Sequence, residues 1–346
     1  MSGPTRGRRT ALLLGLAWTA NQVRWARHTR PEPLPPPPAG SHTLTTADGT
    51  RLHAQVGGRA DATTTVVLIH GFLARTLEFD MQSNSLGDRA RLSRYDHRNP
   101  GRSDHTGDPI TVETLAGDLA AVITELAPSG KVVLVGHSMG GMTTLGLAAF
   151  HPDLFAERVA GVALLATGAG HFIEGHRWEN LFRWASRRHL LAAHLLGIRL
   201  VAPVLEQLRP RRTHAMRRAT RKVIFGSDDV DPATLTMTQA LLEEPPLATL
   251  ASLHGSLLRN DALEALAMLR TVPVAVITGG EDKLTRPEHS ARMAADIGPT
   301  AELVTIPGTG HVLNQTRPVE VNAALHRLLD RVDAVDAGTA RTSRLA

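Results

Sequence analysis

Short apolar runs alternate with stretches of helical periodicity along most of this chain. Val66–Ile69, Lys131–Val135 and Val159–Ala166 are nearly continuous apolar runs, which is how strands buried on both faces read. Val272–Thr278 and Ala301–Ile306 repeat the pattern later, and Arg91–Tyr95 is a weaker strand. Between these runs, Thr111–Ala127 sets Val112, Leu115, Leu119, Val122 and Leu126 near one helical face, and Pro128-Ser-Gly130 stops it. Met142–Phe150 reads as a helix ended by His151-Pro152; Ala262–Leu269, Pro287–Ile297 and about 317–334 read as further helices. Thr43–Val56 has the look of a hairpin turning at Asp48-Gly49. Strands alternating with helices predict an α/β fold with a mostly parallel central sheet covered on both faces.

The alternation is interrupted once. Residues 167–258 contain helical stretches and no convincing strand, so 41–166 and 259–334 read as two parts of one core separated by an insertion. Residues 335–346 read as a frayed, flexible polar tail. Residues 1–40 stand apart: Arg6, Arg8 and Arg9 precede an apolar run from Ala11 to Trp18, which is far shorter than the ~20 residues that span a bilayer. Arg24, Arg27 and Arg30 follow, then Pro31-Glu-Pro-Leu-Pro-Pro-Pro-Pro38, a stiff linker by composition. The segment fits an export signal with a poor cleavage site, Arg8-Arg9 being a bare twin-arginine pair. It also fits a basic segment lying on an anionic membrane surface, or a disordered tail. Cytoplasmic, membrane-associated and exported locations all stay open.

Composition narrows the chemistry. The 346 residues are 42% hydrophobic but only 3% aromatic, so the core must be built from aliphatic side chains. There is no cysteine, which excludes disulfides, thiolate catalysis and cysteine-held metals. The net charge is +5, yet no helix-turn-helix, RNA-binding or zinc-finger signature accompanies it, so nucleic acid is not an expected partner. Much of the positive charge lies at the N-terminus and in 177–222. There, Arg183, Arg187, Arg188, Arg199, Arg209, Arg211, Arg212, Arg217, Arg218, Arg221 and Lys222 suit a solvated helix face, an anionic membrane surface or an acidic substrate.

The strongest chemical signal is Gly136-His137-Ser138-Met139-Gly140, followed by Gly141, set between a buried strand and a helix. A strand that turns sharply into a helix lifts the serine clear of the sheet. It also aims the helix N-terminus at the reacting carbonyl, and the flanking positions have no room for side chains. Serine is a weak nucleophile near neutral pH and needs a base. His311 follows the last strand in Pro307-Gly-Thr-Gly-His311 and fills that part. An acid must orient the base. Asp282 in Gly279-Gly-Glu-Asp282 is favoured, with Glu281 competing one residue away. His70-Gly71-Phe72 closes an early strand where a second oxyanion donor would sit, so the amides of Phe72 and Met139 are the expected oxyanion hole.

These motifs, together with Asp96-His-Arg-Asn-Pro-Gly-Arg-Ser103, resemble the α/β-hydrolase superfamily over about residues 41–334, in particular its small esterases, C–C hydrolases and cofactor-free perhydrolases. The resemblance implies Ser138, Asp282 and His311 as a triad, and Phe72 and Met139 as oxyanion donors. It also implies a structural loop around Asp96, Arg98, Gly101 and Ser103. Asn99-Pro100 departs from the glycine–aromatic pair often found there. A serine at the elbow argues against epoxide and haloalkane chemistry, where relatives carry aspartate. Residues 167–258 take the place of the family's helical cap. Trp178, Phe182 and Trp184 would line a pocket or anchor that cap to the core.

The expected activity is hydrolysis of a moderately hydrophobic carboxylic ester through an acyl-enzyme on Ser138, with no cofactor or metal called for. An acyltransferase or perhydrolase would use the same triad, and a non-catalytic ligand receptor on this fold is the remaining alternative.

Overall fold

The computed structural model describes residues 40–72, 74–99, 101–106, 110–170, 223–226, 230, 234 and 262–343. At its centre lies an eight-stranded sheet: β1 (Ser41–Thr45), β2 (Arg51–Gly58), β3 (Thr64–Ile69), β4 (Arg91–Tyr95), β5 (Lys131–His137), β6 (Val159–Leu165), β7 (Val274–Gly279) and β8 (Ala301–Ile306). The spatial order is β1-β2-β4-β3-β5-β6-β7-β8. β2 pairs antiparallel with both β1 and β4, and every later pairing is parallel. β3 and β5 are parallel neighbours, so their C-terminal ends lie side by side, with Ile69 opposite Gly136. The motifs that follow these two strands are neighbours for that reason.

Among the described residues the helices are α1 (Asp80–Leu86, entered through a 3₁₀ turn at Thr76–Phe79), α2 (Val112–Leu126), α3 (Met139–Phe150), α4 (Pro152–Arg158), α5 (Leu266–Leu269), α6 (Pro287–Ile297), α7 (Leu313–Thr316) and α8 (Pro318–Ser343). Alternate residues of each central strand feed opposite cores, as the two-residue period of a strand requires. Val67, Ile69, Val132 and Leu134 pack with Leu119 and Val122 of α2, Leu145 of α3 and Met293 and Ile297 of α6. Val66, Leu68, Val133 and Val135 pack on the other face with Phe79, Leu86 of α1, and Val321, Leu325 and Leu328 of α8. The predicted two-sided burial is therefore present, and it is almost wholly aliphatic.

Three local expectations need correction, and one short region carried no expectation at all. Pro152 does not merely end a helix; it opens α4, because proline at the first helical position gives up only an N–H that has no partner there. The 3₁₀ turn and α1 went unread, being too short to show a period. Of the helix expected over Ala262–Leu269, only Leu266–Leu269 is α-helical. The tail expected from residue 335 continues α8 through Ser343, where Ala334, Ala337 and Ala340 favour helix over fraying. The helical cap predicted over 167–258 and the readings of residues 1–40 fall almost entirely outside the described residues.

The loop after β4 is held by buried charge. Arg98 donates through Nε and a terminal nitrogen to both carboxylate oxygens of Asp118 on α2 (2.8 and 2.5 Å), and to Asp48 in the β1–β2 turn (2.9 Å). Asn99 takes φ 81°, a left-handed conformation that asparagine tolerates better than most residues, and its side chain accepts from Thr106 N–H at 2.6 Å. The departure from glycine at this position is thereby accommodated. Removing one partner of a buried pair exposes the other to full desolvation. Asp118→Ala is therefore expected to cost about 3 kcal/mol of stability, read from the urea midpoint; a change within 0.5 kcal/mol, roughly the effect of a surface substitution, would contradict this account.

Candidate active site

Three loops converge at the C-terminal edge of the parallel strands. Ser138 sits between β5 and α3 with φ 51° and ψ −114°, a strained backbone for a residue with a side chain. The strain persists because its surroundings hold it. Ser138 N–H donates to Leu165 O (2.9 Å), and Ser138 O accepts from Thr167 Oγ1 (2.7 Å). A Cβ on Gly136 would lie 2.5 Å from Gly140 O, and one on Gly140 would lie 2.6 Å from the carbonyl carbon of Ile69. The two glycines flanking the serine are thus demanded by backbone packed against backbone.

His311 comes from the loop between β8 and α7. Its Nε2 lies 2.9 Å from Ser138 Oγ, and its Nδ1 lies 2.8 Å from Asp282 Oδ2. Asp282 follows β7 and is itself clamped. Oδ1 accepts from the backbone N–H of Leu284 (2.8 Å) and Thr285 (3.0 Å), and Oδ2 accepts from Thr285 Oγ1 (2.6 Å). Burial alone would raise this carboxyl, but His311 and the Thr285 hydrogen bonds outweigh it and hold the group below its usual range. Glu281, the competing acid, is exposed, and its neighbour Asp282 is the carboxylate that meets His311.

The main chain of His311 has a further support that sequence reading did not anticipate. Its N–H donates to Ile224 O (2.6 Å), in the described stretch 223–226 inside the insertion. Gly226 bridges to Thr309, and a Cβ on Gly310 would come within 2.6 Å of Gly226 N.

The loop after β3 lies directly against the elbow. A Cβ on Gly71 would be 2.7 Å from His137 Nδ1 and 3.3 Å from Ser138 Cβ. His97 N–H donates to His70 Nε2 (2.9 Å), so the His70 proton is on Nδ1, where it donates to Gly71 O (2.8 Å). Ala74 N–H reaches the same carbonyl (3.2 Å). The Gly71–Phe72 peptide, which carries the Phe72 N–H, is thus oriented from its carbonyl side. Met139 is the first residue of α3, so its N–H has no carbonyl partner within the helix. Ser138, Met139, Phe72, Asp282 and His311 all lie at this junction, with His70, Gly71, Gly136, His137, Gly140 and Gly141 packed around it.

Behind the elbow is a second buried pair. Glu78 Oε1 lies 2.6 Å from His137 Nδ1, Glu78 Oε2 accepts from Gly71 N–H (2.7 Å), and His137 Nε2 lies 2.9 Å from His311 O. Burial opposes both charges, yet each partner offsets it for the other: His137 is raised and Glu78 lowered from their ordinary values. Glu78, Thr167 and Thr285 were not foreseen. Only Thr285 left a sequence trace, since Asp-x-x-Thr is a spacing at which a side-chain oxygen captures local amides. Among the described residues no group of three or more histidine or acidic side chains is arranged to hold a metal ion.

Residues 64–318 match the family described as alpha/beta hydrolase fold. The chain belongs to that family. Among solved structures, an esterase from Thermogutta terrifontis superposes on this α/β-hydrolase with a TM-score of 0.67 at 24% identity, covering 85% of this chain and 99% of the other. An enol-lactonase from Burkholderia xenovorans gives 0.66 at 24% identity, covering 84% and 100%. Among curated proteins, the acetyltransferase component of a Pseudomonas putida acetoin-cleaving system is 25% identical over 278 residues, covering 78% of this chain and 66% of that one. A 2-(acetamidomethylene)succinate hydrolase from Mesorhizobium japonicum is 25% identical over 268 residues, covering 77% and 87%. Against several mycobacterial relatives the chain spans half of the other protein's length.

Proposed function

We propose that this α/β-hydrolase is a serine esterase that cleaves a moderately hydrophobic carboxylic ester through an acyl-enzyme on Ser138. One observation carries the reading: Ser138 Oγ, His311 and Asp282 form an unbroken polar chain at 2.9 and 2.8 Å, with the serine on a strained elbow. Esterases and hydrolases among its structural and sequence relatives support it.

The chemistry follows from the proton positions. Asp282 accepts a hydrogen bond from His311 Nδ1–H, which leaves Nε2 bare and facing Ser138. His311 takes the Ser138 proton as Oγ attacks the ester carbonyl. The amides of Met139 and Phe72 receive the charge that develops on the carbonyl oxygen. His311 then returns the proton to the leaving alkoxide. In the second half it activates a water that attacks the acyl carbon and restores Ser138 with release of the acid.

The test is labelling with a fluorophosphonate, the modified residue mapped by mass spectrometry, followed by p-nitrophenyl esters of graded chain length. Labelling confined to Ser138, with turnover of at least one ester, is the expected result. A folded protein that takes no label and cleaves no ester would overturn the reading.

A further inference from the structure

We propose that Glu78 is a positioning residue for the reaction assigned above: one buried carboxylate holds both the oxyanion loop and, through His137, the main chain of the base. This inference rests on the serine esterase reading. Glu78 comes from the 3₁₀ turn at Thr76–Phe79, so it belongs to none of the three loops that carry the reacting groups. It is 3% exposed, a burial that a carboxylate tolerates only with partners.

Each partner is a handle on the site. Oε2 takes the Gly71 N–H, fixing the peptide that enters the Gly71–Phe72 turn, while His70 and Ala74 fix the one that leaves it. Oε1 meets His137 Nδ1, and His137 is the residue immediately before the nucleophile. His311 O can only accept, so His137 Nε2 must carry a proton and donate it there. The strap therefore runs Gly71 N–H, Glu78, His137, His311 C=O. It joins the loop that stabilises the oxyanion to the backbone of the general base without touching a reacting atom. The charged and titratable groups acting on it are Glu78, His70, His311, Asp282 and Asp96, and none is an exposed surface charge. A carboxylate that only filled space would need no such reach across two loops.

The two variants differ in what they leave behind. Glu78→Ala removes both Glu78 links and strands the Gly71 N–H and the Nδ1 side of His137. Glu78→Gln can rebuild them all: its carbonyl oxygen accepts from Gly71 N–H, and its NH₂ donates to Nδ1 of a neutral His137 whose Nε2–H still reaches His311 O. In Glu78→Ala we expect kcat on a p-nitrophenyl ester to fall about 30-fold with KM within threefold, and fluorophosphonate labelling of Ser138 to slow in parallel. In Glu78→Gln kcat should recover to within fivefold of wild type. Wild-type kcat in folded Glu78→Ala, or equal losses in the two variants, overturns the proposal.

A second readout does not depend on activity. Ring ¹⁵N spectra of the full chain should show His137 Nε2 protonated, and Glu78→Gln should shift the His137 Nδ1 signal while leaving Nε2 protonated. A wild-type His137 with bare Nε2 would sink the strap even if Glu78→Ala fails to fold. Absence of wild-type labelling with the expected spectra would instead sink the esterase reading and leave the strap standing.

Discussion

Asp282→Asn is expected to lower kcat for ester hydrolysis about 10⁴-fold in a protein that still folds. The direction follows from which oxygen is already committed. Asp282 Oδ1 accepts two backbone N–H groups, from Leu284 and Thr285, so an asparagine must place its own oxygen there. Its NH₂ then occupies the Oδ2 position and donates toward His311 Nδ1. The imidazole is forced to carry its proton on Nε2, where it can no longer accept one from Ser138. Ser138→Ala should cost more, about 10⁶-fold, and adding Asp282→Asn to it should cost nothing further, since the residues act as a unit. Glu281→Gln should stay within twofold. Steady-state kinetics on one ester decide the matter: a loss below tenfold in Asp282→Asn would remove this residue from the orienting role.

Gly140→Ala should be the most damaging single-methyl change in the described part of the chain. The new Cβ would sit 2.6 Å from the Ile69 carbonyl carbon and 2.8 Å from His70 O, both main-chain atoms of β3 and its exit. No rotamer relieves a clash between Cβ and backbone, so α3 or β3 must move. β3 is central in the sheet, between β4 and β5, and neither neighbour gives easily. We expect a loss of about 4 kcal/mol, a fall in Tm of about 10 °C, and disappearance of Ser138 labelling. By contrast a Cβ on Gly117 meets nothing within 4 Å, so Gly117→Ala should be neutral or slightly stabilising and serves as the control. Retention of Tm in Gly140→Ala would mean that the elbow is looser than its packing implies.

The parts of this protein that a reader of its sequence finds easily are those where one local rule decides. Val132–Val135 are apolar on consecutive positions because both faces of β5 are covered, and Gly136 and Gly140 mark a turn that nothing larger can make. Ser138, Asp282 and His311 each follow the end of a strand, so their order along the chain is enough to bring them together. Glu78 is different. It stands between Leu77 and Phe79 in a short turn, and neither its burial nor its partner His137, 59 positions away, follows from local pattern. Thr167 is equally silent, because its task is to hold a single carbonyl oxygen on another strand's exit. Pro152 misled for the opposite reason: proline stops one helix and starts another with the same fixed φ, and only the position of its neighbours tells which.

The bond from His311 N–H to Ile224 O bears on protein engineering. Exchanging the insertion between β6 and β7 for that of a relative would normally be planned as a graft with two covalent seams. In this molecule there is a third, non-covalent seam at 223–226, a stretch inside the insertion that grips the base loop. A replacement that includes 223–226 would remove the host's grip and leave His311 to find a new support. A replacement that ends before Val223 would keep the host's grip on the base loop.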